Sequence, residues 1–577
     1  MYSELRNLSV APPANQQAGL RRFAASTEPL FSPLKEIPCA NVDGLMWYGA
    51  HVDGLLDCKM YLRSNAWKPS WSTEGRAPAF DDTNARHGDE GTTTLTPSAL
   101  NDDSALWGNV PAIDIINLND NEGDVEKDFS LAFIASGDLR HVMKTVNSLP
   151  PNYSGRFDIL LNDSNNCIAS RNIALLLILG TIQDEHLSAE IALHFWYSTL
   201  IPREYQLKIT NVLFPLLNHL AKLEKSSEQW TPFPLNSSST LEVECGVNDI
   251  GHCLAWGMRM PCGRSTIVPG PLIRYEIIAT ERLALPFGAA TKHFDQWNHS
   301  LFSFREKWLQ SDNSDPLDGW NMNEVIQAGG AHGAQPEDIY GCLYFFLSDQ
   351  LRTFAERIRK VPISFKIHIR DACELSKQIR AGVFSGRGLQ PTIRFHRIEV
   401  SNTIEASSVA LRDVLEHWGP LLADEKDAAI IGHCTKWHRE QKDGCATGAD
   451  EATFESLKKE MMERLERVPS LLDNAEKILG SSEAAMLSFM LDIDLIYDNS
   501  EPFATYLNKQ GLPGILEKTG LTLRESHRVV PHRFLTPLEA PASALPEFSW
   551  DREAWYNHYL PGSDAVPLCT TDKADQL

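Results

Sequence analysis

The chain has 577 residues, which is more than one hydrophobic core normally serves, so about two to four domains are expected. Its 43% hydrophobic and 22% charged residues are typical of a globular protein, and its apolar runs are too short to cross a membrane. The net charge of −23 argues against a nucleic-acid partner for the chain as a whole, DNA in particular. Eleven cysteines without a CxxC pair favour reduced thiols and a cytoplasmic location.

Shifts in composition and hydrophobic periodicity divide the chain into five regions. An N-terminal extension with a tryptophan-rich segment precedes the first half of a mostly parallel α/β sheet. A helical insertion, the second half of that sheet and a helical C-terminal region with a proline-rich tail follow. The predicted boundaries are 1–95, 96–202, 203–340, 341–446 and 447–577.

Two strand–turn–helix units lie between Phe129 and Ile182. Each has an apolar strand, a polar turn with an aspartate, and a segment with helical spacing of apolar residues. This alternation predicts a parallel sheet with helices on its faces. Ligands gather where such strands end and helices begin, because free backbone N–H groups point there. The predicted ligand site comprises Gly137, Asp138, Arg140, Asn162, Asp163, Arg171 and Asn172.

Several of these residues also have a purely structural interpretation. Gly137 suits the backbone geometry of a turn, and Asp138 suits a helix cap, where its side chain would accept a bond from a backbone N–H group. The GxGxxG pattern of dinucleotide-binding proteins is absent from this turn. Because Arg171 opens an otherwise apolar helix, we expect its guanidinium at the rim of the cleft.

The sheet pattern resumes in the second half of the chain. Alternating apolar residues predict strands near 362–369, 392–404 and 428–434. Apolar residues at helical spacing predict an amphipathic helix from Asp450 to Arg467.

One group of residues in this half has the chemistry of metal ligands. It consists of His433, Cys434, His438 and Cys445. Their spacing matches no standard zinc pattern, so no metal site is predicted.

A basic segment interrupts this acidic chain. Eleven basic and only three acidic residues lie between Arg352 and Arg397, so the segment has a charge of +8. Such an excess is typical of a polyanion site, although ion pairs with acidic surfaces elsewhere explain it equally well. The candidate polyanion-binding residues are Arg352, Arg357, Arg359, Lys360, Lys366 and Arg370.

Five stretches in the blocks 64–200 and 362–440 carry a family resemblance. They are WKPSWSTEGRAPAF, WGNVPAIDIINLNDNEG, ASGDLRHVMKT, LNDSNNCIASRN, and FHRIEVSN followed by WGPLL. They resemble a fungal family of uncharacterised proteins, often linked to a MYND zinc finger, whose N-terminal domain is shared with a dynein axonemal assembly factor. The resemblance implies a Rossmann-like sheet of the methyltransferase type, with ASGD at the position of the S-adenosylmethionine loop.

A looser resemblance concerns a DxxE motif. Of the four DxxE pairs in the chain, Asp371 and Glu374 alone follow a predicted strand directly and lie inside the basic segment. The chain is similar here to the fungal arginine-containing cyclodipeptide synthases, which join arginine, delivered on its tRNA, to a second aminoacyl group. The resemblance implies that the two carboxylates bind a guanidinium or an ammonium, or transfer a proton. Stabilisation of a helix N-terminus is the structural alternative.

The leading hypothesis combines these features in an enzyme of tRNA-dependent aminoacyl transfer that forms an arginine-containing cyclodipeptide. The six basic residues would bind phosphates of arginyl-tRNA, Asp371 and Glu374 would be catalytic, and the two turns with Arg171 would shape the pocket. No cofactor is needed, because the aminoacyl ester is already activated. A non-catalytic scaffold that binds protein partners and an S-adenosylmethionine-dependent methyltransferase are the alternatives, since fold alone does not determine function.

Overall fold

The computed structural model describes about three fifths of the chain. The described residues are 106–108, 110–225, 231–244, 284–286, 289, 294–302, 309–310, 315–334, 338–405, 410–465, 493–524, 527–534, 536–545 and 566–568. The predicted N-terminal extension with its tryptophan-rich segment, 1–95, lies outside these residues. None of the described helices is both long and apolar enough to cross a membrane.

A mostly parallel sheet forms the centre of the molecule. Its seven strands have the order β9-β8-β1-β2-β7-β5-β4, and the short strand β10 pairs with the outer side of β9. All neighbours from β9 to β5 run parallel, whereas β4 and β10 are antiparallel to theirs. The bounds are β1 Phe129–Phe133, β2 Phe157–Asn162, β4 Phe233–Pro234, β5 Thr240–Glu244, β7 Ile363–His368, β8 Arg397–Glu399, β9 Ala429–Cys434 and β10 Val566–Leu568. A separate two-stranded sheet pairs β3, Leu200–Ile201, with β6, Gln296–Trp297.

Eleven helices are described. They are α1 Arg140–Ser148, α2 Asn166–Thr181, α3 Glu185–Tyr197, α4 Arg203–Lys225, α5 Met322–Ala331, α6 Ile339–Lys360, α7 Ala372–Arg380, α8 Leu411–Trp418, α9 Glu451–Leu465, α10 Ser500–Lys509 and α11 Leu512–Thr519. The first six share one hydrophobic core with one face of the sheet, and α7, α8, α10 and α11 share a second core with the opposite face. The result is a layer of helices on each side of the sheet.

Successive side chains of each strand point to opposite faces of the sheet, which explains why helices cover both faces. In β1, Leu131 and Phe133 belong to the first core, while Ala132 belongs to the second. Successive side chains of a strand point to opposite faces, so a continuous apolar run supplies both cores at once. The predicted strands at β1, β2, β7 and β9 are confirmed. The predicted strand at 392–404 is much shorter, because only Arg397–Glu399 pair with β1 and β9.

The predicted helical insertion, 203–340, also contributes to the sheet, which corrects the sequence-based interpretation. Strand β5 pairs with β7, so the insertion supplies one parallel strand and the antiparallel strand β4 beyond it. The sequence TLEVE alternates polar and apolar residues, with Leu241 and Val243 in the core. That signal is only five residues long, and its position depends on pairing with a strand about 120 residues later.

The connections of the sheet change direction between β1 and β8. From β1 the chain proceeds to β2 on one side, and from β8 it proceeds to β9 on the other. In open parallel sheets, such a reversal leaves a crevice at the carboxyl ends of the two strands, where ligands bind. Two segments from distant parts of the chain meet near this edge, since Asn117 donates a 2.7 Å hydrogen bond to the carbonyl of Arg528. We call 106–123 the N-terminal strap and 527–534 the C-terminal strap.

Candidate functional site at the carboxyl edge of the sheet

The two predicted turns lie side by side at the ends of β1 and β2. Gly137 has φ +51° and donates its N–H to the Asp163 carboxylate at 3.0 Å, and its carbonyl accepts a 2.7 Å bond from the Asn172 amide. The positive φ favours glycine here, because a side chain is strained in that region. The adjacency expected from the parallel sheet is therefore present.

Asp138 and Arg140 are both 5% exposed and bind each other at 2.7 Å. The second Asp138 oxygen accepts the N–H of Gly108 at 2.9 Å, and Arg140 Nε donates to the carbonyl of Val110 at 3.0 Å. A Cβ on Gly108 would overlap the guanidinium, so only glycine fits there. This pair fixes the N-terminal strap against α1, and the Asp138 carboxylate has both oxygens occupied.

Asn162 and Asp163 hold the turns at the ends of neighbouring strands. The Asn162 amide donates to the carbonyls of Ile134 and Arg370 and accepts the Arg370 N–H, so it joins the ends of three strands. Asp163 accepts the N–H groups of Gly137 and Asn165. Burial raises the pKa of Asp163 to about 6 despite these bonds.

Arg171 does not lie at a cleft rim, which corrects the sequence-based expectation. It is 2% exposed, donates to the carbonyl of Trp196 at 2.7 Å and to the hydroxyl of Ser300, and lies over the ring of Phe195. Burial lowers its pKa to about 10. A polar residue near the start of an apolar helix can also point into the protein, where buried carbonyls accept its hydrogen bonds. Arg171 does this at the carboxyl end of α3.

The DxxE carboxylates are exposed at the same edge of the sheet. Asp371 is the N-cap of α7, and one of its oxygens accepts the N–H of Glu374 at 2.9 Å. The Glu374 carboxylate accepts a bond from Gln378 one turn later. Asp371 therefore caps the helix through one of its oxygens. Both Asp371 and Glu374 are exposed to solvent.

The six candidate polyanion-binding residues are all engaged with the protein itself. Arg357 donates to the carbonyls of Leu149 and Pro150, and Arg359 to that of Ile182. The other four bind carboxylates: Arg352 binds Asp349, Lys360 binds Glu356, Lys366 binds Asp158 and Arg370 binds Glu244. The intramolecular interpretation of the basic segment is therefore present for these six residues, and their binding of phosphate stays a prediction.

A cluster of buried titratable side chains lies at the carboxyl ends of β8 and β9, next to Arg140. Glu399 ends β8 and is 1% exposed; burial raises its pKa to about 7, opposed by the Ser401 N–H and the Arg140 charge. His433 in β9 is 7% exposed, and burial together with Arg140 lowers its pKa to about 3. His141 is held neutral in the same way, with its Nδ1 accepting the N–H of Ile113.

Glu399 differs from Asp138, Asp163 and Glu244, the other carboxylates at this edge, in its hydrogen bonding. One of its oxygens accepts the N–H of Ser401 at 2.7 Å, and the other, Oε2, is buried without a hydrogen-bond partner among the described residues. Local sequence patterns do not single out Glu399, and they mark His433 only by its metal-ligand chemistry. The available signal was their position at the ends of two predicted strands, the same argument that selected Asp138 and Asp163.

Two other features of the site region bear on metal binding and on catalysis. No group of three or more potential metal ligands is found in the described ranges. Glu190 and His194 of α3 and Ser198, which follows the helix, form a line of hydrogen bonds. The distance is 3.1 Å between Glu190 and His194 and 2.8 Å between His194 and Ser198. Tyr344 of α6 donates to Glu190 at 2.9 Å. His194 and Ser198 are fully buried, so this line joins α3 to α6 rather than meeting a substrate.

Comparison with known proteins gives one match. Residues 106–201 match a family model described as "Domain of unknown function (DUF4470)". This range extends from the N-terminal strap to β3 and includes the turns at Gly137 and Asp163, but neither Glu399 nor the DxxE pair. No curated protein and no solved structure matches the chain.

Proposed function

We propose that the sheet is Rossmann-like and of the methyltransferase type. Apart from β5, which runs parallel on the outer side of β7, the parallel strands have the spatial order β7-β2-β1-β8-β9, which is 3-2-1-4-5 when these five are numbered along the chain. That order is the doubly wound arrangement, which binds ligands at the reversal between β1 and β8. The antiparallel strand beyond the fifth, β10, is the feature that favours the methyltransferase type.

On this sheet we propose an enzyme of tRNA-dependent aminoacyl transfer to an amine, with an arginine-containing cyclodipeptide as product. The supporting observation is the buried titratable cluster of Glu399, His433 and His141 at the strand reversal. Buried groups with shifted pKa values at a ligand edge are typical of catalytic sites, and amide formation from an ester needs a group that accepts a proton near neutral pH. Glu399, with a pKa of about 7, has that property.

The exposed carboxylates of α7 supply the second half of this proposal. Asp371 and Glu374 stand at the end of β7, which is three strand spacings or about 14 Å from the end of β8. A substrate with an amine at one end and a guanidinium at the other would place its guanidinium at these carboxylates. Lys377 and Arg380 extend the exposed face of the same helix and have no ion pair among the described residues, so they replace the six engaged cations as the proposed tRNA contacts.

Methyl transfer from S-adenosylmethionine is the second candidate. Gly137 faces open space apart from Arg140, and Asp163 follows it by 26 residues at the end of the next strand, where an acidic residue binds ribose hydroxyls in related folds. The Asp163 carboxylate retains lone pairs beyond its two N–H bonds, so the residues fit a ribose. The cofactor would supply an electrophilic methyl group, while Glu399 would again hold the proton of the acceptor.

The experiment is expression of the full chain in a host with its own charged tRNAs, followed by mass spectrometry of the medium. Cyclodipeptides that contain arginine, absent with Glu399→Gln and with Glu374→Gln, support aminoacyl transfer. Their absence together with calorimetric binding of S-adenosylmethionine, abolished by Asp163→Ala, favours methyl transfer. Neither product nor cofactor binding would mean a non-catalytic scaffold with protein partners.

A further inference from the structure

The unpartnered oxygen of Glu399 identifies the kind of group that completes the site. A buried carboxylate oxygen without a hydrogen bond destabilises the fold, because its lost hydration is not replaced. Other carboxylates at this edge avoid that cost: both oxygens of Asp138 and of Asp163 accept N–H bonds, and those of Glu244 accept from His368 and Arg370. Glu399 Oε2 is the exception among them.

Protonation of Glu399 does not remove the deficiency. A protonated Oε2 becomes a donor, and it then still accepts no hydrogen bond from a described residue. The nearby cation does not bind it either, because Arg140 donates to Asp138 and to the carbonyl of Val110. No described residue supplies the partner, and a group from outside the chain that brings an N–H or O–H to Oε2 would complete the site.

The charges around Glu399 select an amine over other donors. His433 and His141 are neutral, and the positive charge of Arg140 is balanced by Asp138. An ionised Glu399 is then the excess negative charge of the cluster, which an ammonium group neutralises and a hydroxyl group does not. A carboxylic acid or phosphate ligand would place a second negative charge beside it.

We propose that Glu399 Oε2 binds the amine nitrogen of the substrate and takes a proton from it. The inference rests on the proposed function and names the group that the buried cluster recognises. The ammonium gives one proton to Glu399, and the neutral nitrogen attacks the ester carbonyl carbon, so that an N–C bond forms and the ester C–O bond breaks. Glu399 returns its proton to the leaving oxygen, and the second proton of the nitrogen is released to solvent.

Isothermal titration of the full chain with n-butylamine and with L-arginine methyl ester tests this inference. At pH 6 the free carboxyl is mostly protonated, so binding of an ammonium ion to its ionised form releases close to one proton per ligand. This release is measured by comparing buffers of different ionisation enthalpy. Glu399→Gln is expected to weaken amine binding at least tenfold, which is about 1.4 kcal/mol, and to abolish the proton release.

Nα-acetyl-L-arginine methyl ester, which lacks the free amine, should bind at least tenfold more weakly than the parent ester. Glu122→Gln, a buried carboxylate that binds Arg397, is the matched control and should leave the proton release unchanged. Unaltered amine binding in Glu399→Gln, or no amine binding by the wild type at millimolar concentrations, would overturn the inference. Butylamine binding with proton release but no cyclodipeptide in the expression experiment would retain the inference and reject aminoacyl transfer.

Discussion

At the scale of single residues, two glutamates at strand ends show how environment sets the role of a carboxylate. Glu244 ends β5; burial alone would raise its pKa, but hydrogen bonds from His368 and Arg370 lower it to about 2. Glu399 ends β8 with a single N–H partner, and its pKa rises to about 7. The first is a permanently charged structural group, while the second can exchange a proton near neutral pH.

The raised pKa of Glu399 predicts a specific dependence of stability on pH. The folded protein holds a proton on Glu399 that the unfolded chain loses above about pH 4.5, so this residue lowers the free energy of unfolding as pH rises from about 4.5 to about 7. The full effect is about 3 kcal/mol, from about 1.4 kcal/mol per pKa unit. Glu399→Gln has no carboxyl group to titrate at this position. Its free energy of unfolding in urea, relative to that of the wild type, should therefore rise between pH 4.5 and 7.5. The exposed Glu539→Gln should show no such trend; a pH-independent difference for Glu399→Gln would contradict the prediction.

At the scale of single elements, α7 presents its polar side to solvent and its apolar side to the second core. Leu375 and Ile379 are fully buried, while Asp371, Glu374 and Lys377 are exposed. The helix begins at an aspartate cap directly after β7, so its first turn is held at the carboxyl edge. The same residue therefore stabilises the helix and faces the proposed substrate.

Two substitutions at Asp371 separate these roles. Asp371→Asn keeps an oxygen for the N–H of Glu374 and should leave the melting temperature nearly unchanged, since asparagine caps helices as well as aspartate does. Asp371→Ala should cost about 1 kcal/mol, measured by thermal unfolding. If the charge binds a guanidinium, both variants lose cyclodipeptide formation. Full activity of Asp371→Asn would show that Asp371 only caps the helix.

Charge reversal tests which element meets tRNA. Lys377→Glu with Arg380→Glu should weaken tRNA binding and reduce the slope of log affinity against log salt by about 0.9 for each lost phosphate contact. Arg352→Glu, on α6, is the control; its cation already binds Asp349, so the slope should remain as in the wild type. The opposite pattern would return the tRNA site to α6.

The local units of the fold could be predicted from the sequence, and the order of the strands could not. Strands β1, β2 and β7 carry apolar runs followed by turns, and these signals are complete within about 20 residues. The pairing of β8 with β1 depends on contacts 266 residues apart, such as the bond between the Ser130 N–H and His396. Glu399 is important because of that pairing, so its role was not visible locally.

At the scale of the whole molecule, the N-terminal and C-terminal straps close over one edge of the sheet from opposite ends of the chain. Asn117, at φ +45°, joins them through the carbonyl of Arg528, and Arg397 under the N-terminal strap binds both Glu122 and the carbonyl of Ile116. Glu399 Oε2 is closed to solvent, so a ligand reaches it only when part of the surrounding structure opens.

Asn117→Gly removes the shorter of two hydrogen bonds between the straps, the other being the 3.4 Å bond from Arg528 to the carbonyl of Asp120. It does not strain the backbone, since glycine tolerates a positive φ. Hydrogen–deuterium exchange should then accelerate in 106–123 and in 527–534 together, because each segment loses the same contact. Amides of β1 and β2 serve as the internal control and should keep their protection. Acceleration in one strap alone would show that the two open independently.

The position of β1 in the middle of the sheet has a consequence for biosynthesis. Its first neighbour, β2, is made within about 30 residues, but its other neighbour, β8, begins 266 residues after Leu131. At roughly 5–20 residues per second, the ribosome needs on the order of tens of seconds to supply β8. During that time β1 presents an apolar strand with an unpaired edge, a form prone to association with other chains. We therefore expect association of the nascent chain through that edge to decline once β8 has emerged and paired with β1.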